Sequence, residues 1–339
     1  MPKKRRSTGN PTLADVANAA GVSAITVSRA LRVPGQVSKD TRTKIKAAIA
    51  KLDYIPDPVA KALASAQSDL IGVLLPSVTN NAFADTIRGI YDVSEPSKYS
   101  VQLANTRYTP AQEERLLRSF LRQRPAGLIV SGIDQSEEVS KLLRDAPCPV
   151  VQIFEIGPDP VDMMVGFSHI EAAAAGTAHL IEKGYRKIGF IGARMDPRAE
   201  RRLLGCRRAL ENAGIFDPVR MMTSSSRSSA SEGGALLAQL LEKAPDTDAV
   251  LCNNDDLAIG VLFEAQRRGL DIPGQFGICG FNDMDMVSQS NPALTSVRTP
   301  RRQVGRRAIE MLLARLKGTN GRPCEDLGFE VIPRQSTNR

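Results

Sequence analysis

At 339 residues and 42% hydrophobic content the chain is too long for one typical domain and can fill more than one core, so a small domain joined to a larger one is expected. Its formal charge of +8 sits at one end: residues 1–68 hold 12 Lys/Arg against 4 Asp/Glu, and the other 271 residues hold 33 of each, which fits a nucleic-acid module at the amino-terminal end. No apolar run reaches 18 residues and none follows the basic start, Cys148, Cys206, Cys252, Cys279 and Cys324 lack paired spacing, and His169 and His179 stand without a ligand cluster; reduced core thiols, a cytoplasmic location and no membrane, metal or cofactor are expected.

The basic cluster Lys3–Arg6 is followed by Thr12 to Arg32, TLADVANAAGVSAITVSRALR, which reads as two short amphipathic helices joined at Gly21. Thr12 with Asp15 forms a capping box, and Leu13, Val16, Ala17 and Ala20 recur at helical spacing. Gly21 permits the left-handed turn, and Ser23 caps the second helix. In that helix Val27, Ala30 and Leu31 are expected to face inward, leaving Ala24, Ile25, Ser28 and Arg29 outward. Ser38 caps a third helix with Thr41, Ile45, Ala48, Ile49 and Leu52 on one face, completing an all-α helix-turn-helix headpiece over residues 1–55. Arg29 can take guanine in the major groove, while Ala24 and Ile25 suit thymine methyls. Thr12, Ser23, Thr26, Ser28, Ser38 and Thr41 are expected at phosphates.

Residues 56–69 form a punctuated segment in which Asp57 can cap, Pro58 suits the first helical position, and Val59, Leu63 and the alanines favour about two helical turns. So short a helix needs clamping to be stable. From Leu70 to Arg339 short apolar runs (LIGVLL, VQLAN, GLIVSG, VVQIF, KIGFIGA, AVLCNN, FGICGF) alternate with amphipathic segments, an α/β doubly wound pattern long enough for two lobes. Ligands of such sheets bind beyond the carboxyl ends of the strands. The residues at those ends are polar: Ser77, Thr79, Asn80 and then Phe83; Arg107; Glu155; Arg194 and Arg202; Asn253 and Asn254; Asn282 and Asp283. These side chains suit a hydroxylated anionic small molecule. Asp255 and Asp256 read as helix caps rather than ligands.

TLADVANAAGVSAITVSRALR followed by VSKDTRTKIKAAIAKLDYIP resembles the headpiece of the lactose-repressor family of bacterial transcription regulators. The resemblance implies a homodimer on a double-stranded, pseudopalindromic operator, with a hinge helix that pairs with its copy and wedges Leu63 into the minor groove. It also implies a two-lobed periplasmic-binding-protein-like effector domain. Lobe 1 would span about 70–165 and 298–330 and lobe 2 about 166–297, with crossing strands near 162–170 and 291–300. NNDDLAIG places an effector-binding amide at Asn254, GFND places Asn282, and Arg202 and Phe83 match effector contacts. Ser228, in SSSRSSASEGG, stands where many members stack an aromatic, which favours an open-chain sugar acid over a pyranose or purine. VGFSHIEAA, GARMDPR, CNNDDLA and LGFE are similar to the gluconate-utilisation repressors of that family.

An enzyme is not expected, because there is no Gly-x-Ser-x-Gly elbow, no Walker loop and no Gly-x-Gly-x-x-Gly after a strand. A two-lobed solute-binding protein would carry a signal peptide and no basic headpiece, and a purine- or sugar-responsive regulator of the same family is the nearer alternative. The absence of leucine heptads before Arg339 favours a dimer over a coil-held tetramer.

Overall fold

The computed structural model describes residues 11–55, 68–319 and 321–339, and the chain divides into two units after Ser68. Lys3 to Arg6, Asp57, Leu63 and the hinge segment lie outside the described residues.

In the first unit, α1 (Leu13–Ala20), α2 (Ala24–Arg32) and α3 (Lys39–Leu52) enclose a small core of Val16, Ala17, Ala20, Val27, Ile45, Ala48 and Tyr54. The Thr12–Asp15 box forms: the Asp15 N–H donates to Thr12 Oγ1 at 3.3 Å and the Thr12 N–H to Asp15 Oδ2 at 2.7 Å. Gly21 ends α1 with a left-handed backbone, φ 65°. Leu31 departs from the inward expectation at 38% exposed. The core closes on Val27 and Ala30, so the residue one turn beyond Val27 overhangs it.

The second unit contains two six-stranded sheets. In the first, β1 (Leu70–Leu75), β2 (Ser100–Asn105), β3 (Gly127–Ser131), β4 (Val150–Ile153), β5 (Met163–Gly166) and β11 (Cys324–Asp326) run in the order β11-β5-β4-β3-β1-β2, all parallel. In the second, β6 (Ile188–Ala193), β7 (Met221–Ser224), β8 (Ala249–Cys252), β9 (Gly277–Asn282), β10 (Thr295–Arg298) and β12 (Glu330–Ile332) run β12-β10-β9-β8-β6-β7, with β12 antiparallel. The two orders match strand for strand, a structural repeat with no sequence repeat beneath it.

Helices cover both sheets: α4 (Ala84–Ser94), α5 (Pro110–Arg122) and α6 (Glu137–Arg144) follow strands of the first, while α7 (His169–Glu182), α8 (Pro197–Asn212), α9 (Ala230–Lys243), α10 (Asp255–Arg267) and α11 (Asp285–Ser288) belong to the second. The long α12 (Arg301–Leu316) returns to the first lobe and crosses α4 where two glycines meet: a Cβ on Gly305 would run into the Thr86 carbonyl, and one on Gly89 into that of Arg302. The chain crosses between lobes after β5 and after β10, and a third time between Asp326 and Glu330. That third crossing is absent from the sequence reading, in which lobe 1 ran to about 330. The LGFEVI stretch reads as a strand, but that its Glu330–Ile332 pairs with β10 of the other sheet, more than thirty positions back, is not encoded in any local pattern.

Candidate functional site

On the headpiece, Ala24, Ile25 and Arg29 are exposed on α2, Ile25 at 69%. Among the described residues nothing buries Ile25, which leaves an apolar contact on the outward face of α2. The hydroxyls of Ser23 and Thr26 share a 2.9 Å hydrogen bond, those of Ser38 and Thr41 one of 2.8 Å, and the N–H groups of Thr26 and Thr41 donate to Ser23 and Ser38. Each pair therefore marks a helix amino terminus, where free amides and the helix dipole favour an anion.

In the second unit a cleft of about 460 Å³ opens between the lobes, at the carboxyl ends of β1, β6 and β8. Those are the points where strand order reverses in each sheet. Arg194, Arg198, Arg202, Arg227 and Arg301 line it against two carboxylates, Asp196 and Asp256. Arg198 is paired with Asp196 at 3.0 Å and donates to Ser131 Oγ at 3.2 Å. Arg301 is paired with Asp85 at 2.8 Å and donates to the Asn282 carbonyl.

Arg202 is different. Its Nε donates to His169 Nδ1 at 3.2 Å, Nη1 donates to the Asn253 carbonyl, and the guanidinium lies 4.0 Å over the Phe281 ring. Among the described residues no carboxylate forms an ion pair with it, and burial pulls its pKa down to about 10. His169 accepts from Arg202 on Nδ1, and burial followed by the neighbouring guanidinium holds the ring neutral, well below its ordinary range. The guanidinium is partly buried, Asp196, Asp255 and Glu155 act on it without forming an ion pair, and an anion in the cleft would give it a direct partner. Two buried polar atoms lining the same cleft, Asn253 Oδ1 and Thr299 Oγ1, have no partner among the described residues, which suits ligand hydroxyls.

Of the residues expected at the effector, Ser77, Phe83, Arg194, Arg202, Ser228, Asn254 and Asn282 line the cleft. Asn254 caps α10 by accepting from the Leu257 N–H at 3.1 Å and donates to Ser228 at 2.8 Å, binding the serine run to the cleft wall. Glu155 does not line it: the carboxylate is buried against the opposite lobe, 3.4 Å from Arg201 Nε, and Phe154, held at φ 74°, takes the cleft-facing place. After β2, Tyr108 lines the cleft and Arg107 does not; Asp283 is instead paired with Arg298 and Arg334. Asp255 is fully buried, accepts from the Met284 N–H and the Ser296 hydroxyl at 2.7 Å each, and is pushed up to about 7 by burial. Asp256 faces the cleft.

Two family models match: residues 12–57 as bacterial regulatory proteins, lacI family, and residues 177–337 as a periplasmic binding protein-like domain. The HTH-type transcriptional regulator GntR of Pseudomonas aeruginosa is 41% identical over 336 residues, 99% of this chain and 98% of that protein. The chain belongs to the lacI family. A LacI-family regulator from Silicibacter pomeroyi superposes at TM-score 0.90 with 35% identity, over 97% of this chain and 100% of that one. The lac repressor dimer bound to operator and the anti-inducer ONPF superposes at 0.84 with 27% identity, over 97% and 99%.

This LacI-family chain is thus a DNA-binding transcription regulator whose relatives are named regulators and not enzymes. No helix among the described residues is long and apolar enough to cross a membrane. The cleft residues that sequence reasoning missed include Arg198, Arg227, Arg301, Tyr108, His169, Asp196, Thr299 and Asp256, the last expected as a helix cap, a place that Asn254 takes. Arg198 and Asp196 flank the strand end already singled out at Arg194, so the DPR of GARMDPR carried a readable signal. Arg301 and Thr299 follow β10 and reach the cleft only because the chain crosses lobes there. Of the five thiols expected in the core, Cys206, Cys252 and Cys279 are buried while Cys148 and Cys324 are only partly so, and burial pushes Cys148 to about 11 and Cys206 to about 12, which keeps those two protonated at neutral pH.

Proposed function

We propose that the protein is a homodimeric repressor, one headpiece per operator half-site, that leaves DNA when a sugar acid, gluconate or a close relative, occupies the cleft. Ala24, Ile25 and Arg29 read bases, the hydroxyls of Thr12, Ser23, Thr26, Ser28, Ser38 and Thr41 hold phosphates, and Leu63 wedges the minor groove. Ser77, Phe83, Arg194, Arg202, Ser228, Asn254 and Asn282 contact the effector. The observation that carries the effector assignment is Arg202, enclosed without a carboxylate partner beside buried acceptors that lack partners. A carboxylate answers the guanidinium, and chain hydroxyls answer Asn253 and Thr299. The superposition on an operator-bound dimer supports the DNA and dimer parts.

The effector acts by binding the two states of the dimer with different affinity, since equal affinity would shift nothing. Calorimetric titration of the full chain with gluconate, glucose and a purine base tests the assignment. Gluconate alone is expected to bind, and to release a labelled operator in a gel-shift assay. Binding of glucose or the purine in its place overturns the sugar-acid reading, and tighter operator binding with gluconate overturns the direction.

A further inference from the structure

We propose that Arg201, Asp134 and Glu155 form a lobe-to-lobe clasp, outside the effector cleft, that positions the two cleft walls and so sets how tightly the effector is held. Arg201 stands on α8 of the second lobe, Asp134 follows β3 and Glu155 follows β4 in the first. Arg201 Nη1 donates to Asp134 Oδ2 at 2.7 Å and Nη2 to Oδ1 at 2.6 Å, the parallel fork of a bidentate guanidinium–carboxylate pair. Its Nε lies 3.4 Å from Glu155 Oε2, so one guanidinium engages carboxylates from two loops of the opposite lobe.

None of the three lines the 460 Å³ cleft. Their neighbours on the same stretch of the second lobe, Arg194 and Arg198, also reach across: Arg194 lies 4.4 Å over the Tyr108 ring, and Arg198 lies 5.5 Å over Phe83 and donates to Ser131. Both of those line the cleft, so an effector touches them directly. Arg201 is the member of the stretch whose cross-lobe contacts remain clear of the ligand.

Parting the lobes would break all three ion contacts at once. Asp134, one-third exposed, would hydrate easily, whereas the Glu155 side chain is 4% exposed, and its Oε2 accepts no hydrogen bond among the described residues. The contact exists only while the lobes are closed, so it favours the closed arrangement, and losing Arg201 removes that preference and leaves a nearly buried carboxylate without its ion partner. That difference between states lets residues remote from the ligand alter its affinity. The clasp also gives Glu155 a role, in positioning rather than in ligand contact.

The clasp rests on the sugar-acid reading of the cleft, and the test separates the two. Full-length Arg201→Ala, Asp134→Ala, their double variant and Arg201→Lys are titrated with gluconate by calorimetry, alongside hydrogen exchange of the ligand-free chains over residues 77–83 and 194–202. Each alanine variant is expected to weaken gluconate roughly tenfold, the double no more than the weaker single because the two residues act through one contact, and Arg201→Lys to fall between. All variants should still melt cooperatively and bind the operator, as folded proteins do, and exchange protection should drop in the alanine variants. Wild-type affinity in Arg201→Ala with unchanged exchange, or fully additive losses in the double variant, overturns the clasp. If wild type itself ignores gluconate the sugar-acid reading fails, and the exchange comparison alone decides the clasp.

Discussion

The headpiece surface and the interlobe cleft both present arginine, but they hold it in opposite ways. Arg29 is exposed on α2, beside caps built by residues three apart in sequence. Arg202 is enclosed, its pKa drawn to about 10, and its partners His169 and Asn253 lie 33 and 51 positions away. An exposed cation keeps its hydration, tolerates many geometries and is screened by salt, which suits a long polyanion. A partly buried guanidinium in a cleft has lost much of its water on folding, so a small anion of matching shape restores more there than at an open surface. The same side chain thus serves a diffuse charge at the surface and a discriminating one inside.

Salt is the strongest way to break that contrast. Between about 0.05 and 0.2 M salt, operator affinity should fall by roughly 10³-fold or more through counterion release, while gluconate affinity changes by less than about threefold because the cleft excludes most of the ion atmosphere. Parallel losses in fluorescence anisotropy and calorimetry would show that both sites are surface sites. Next in size, Arg202→Gln should cost about 2–5 kcal/mol of gluconate binding, as expected when one partner of a buried charge pair is removed, with operator affinity of the ligand-free protein unchanged. Near-normal induction by this variant would move the anion site elsewhere in the cleft.

Arg29→Ala should cost about 1–3 kcal/mol on the cognate operator and much less on random DNA; equal losses on both would mean that Arg29 only neutralises phosphate. The smallest effect is Ser23→Ala. It removes the acceptor of the Thr26 N–H and should lower headpiece stability by about 0.5–2 kcal/mol, read as a shift of the low-temperature step in a calorimetric melt while the larger unit melts as before. A shared shift would mean that the two units unfold as one.

Signals that act over a few residues were legible in advance. Thr12, Ser23 and Ser38 cap the helices at which they were placed, because a hydroxyl reaching an amide two or three residues on needs nothing beyond local chain geometry. The apolar runs from Leu70 to Phe281 became strands; the interior ones are covered on both faces and so apolar throughout, whereas β2 at the sheet edge alternates in exposure. Strand ends then pointed to Ser77, Arg194 and Asn254 at the cleft. MMTS at β7 was missed because a four-residue edge strand that merges into a serine run is too short to show alternation.

By itself, then, the sequence determined the helix-turn-helix, the doubly wound sheets and most of the polar strand ends, which are written in short local patterns, and the excess of charge at one end, which is a matter of composition. Only the tertiary structure decided that Glu155 turns away from the cleft to Arg201 and that Arg301 and Thr299 turn toward it. It alone decided that Leu31 overhangs the small core and that the chain crosses lobes a third time before Glu330. Each of these outcomes depends on which distant segment arrives opposite a residue, and no local period encodes that.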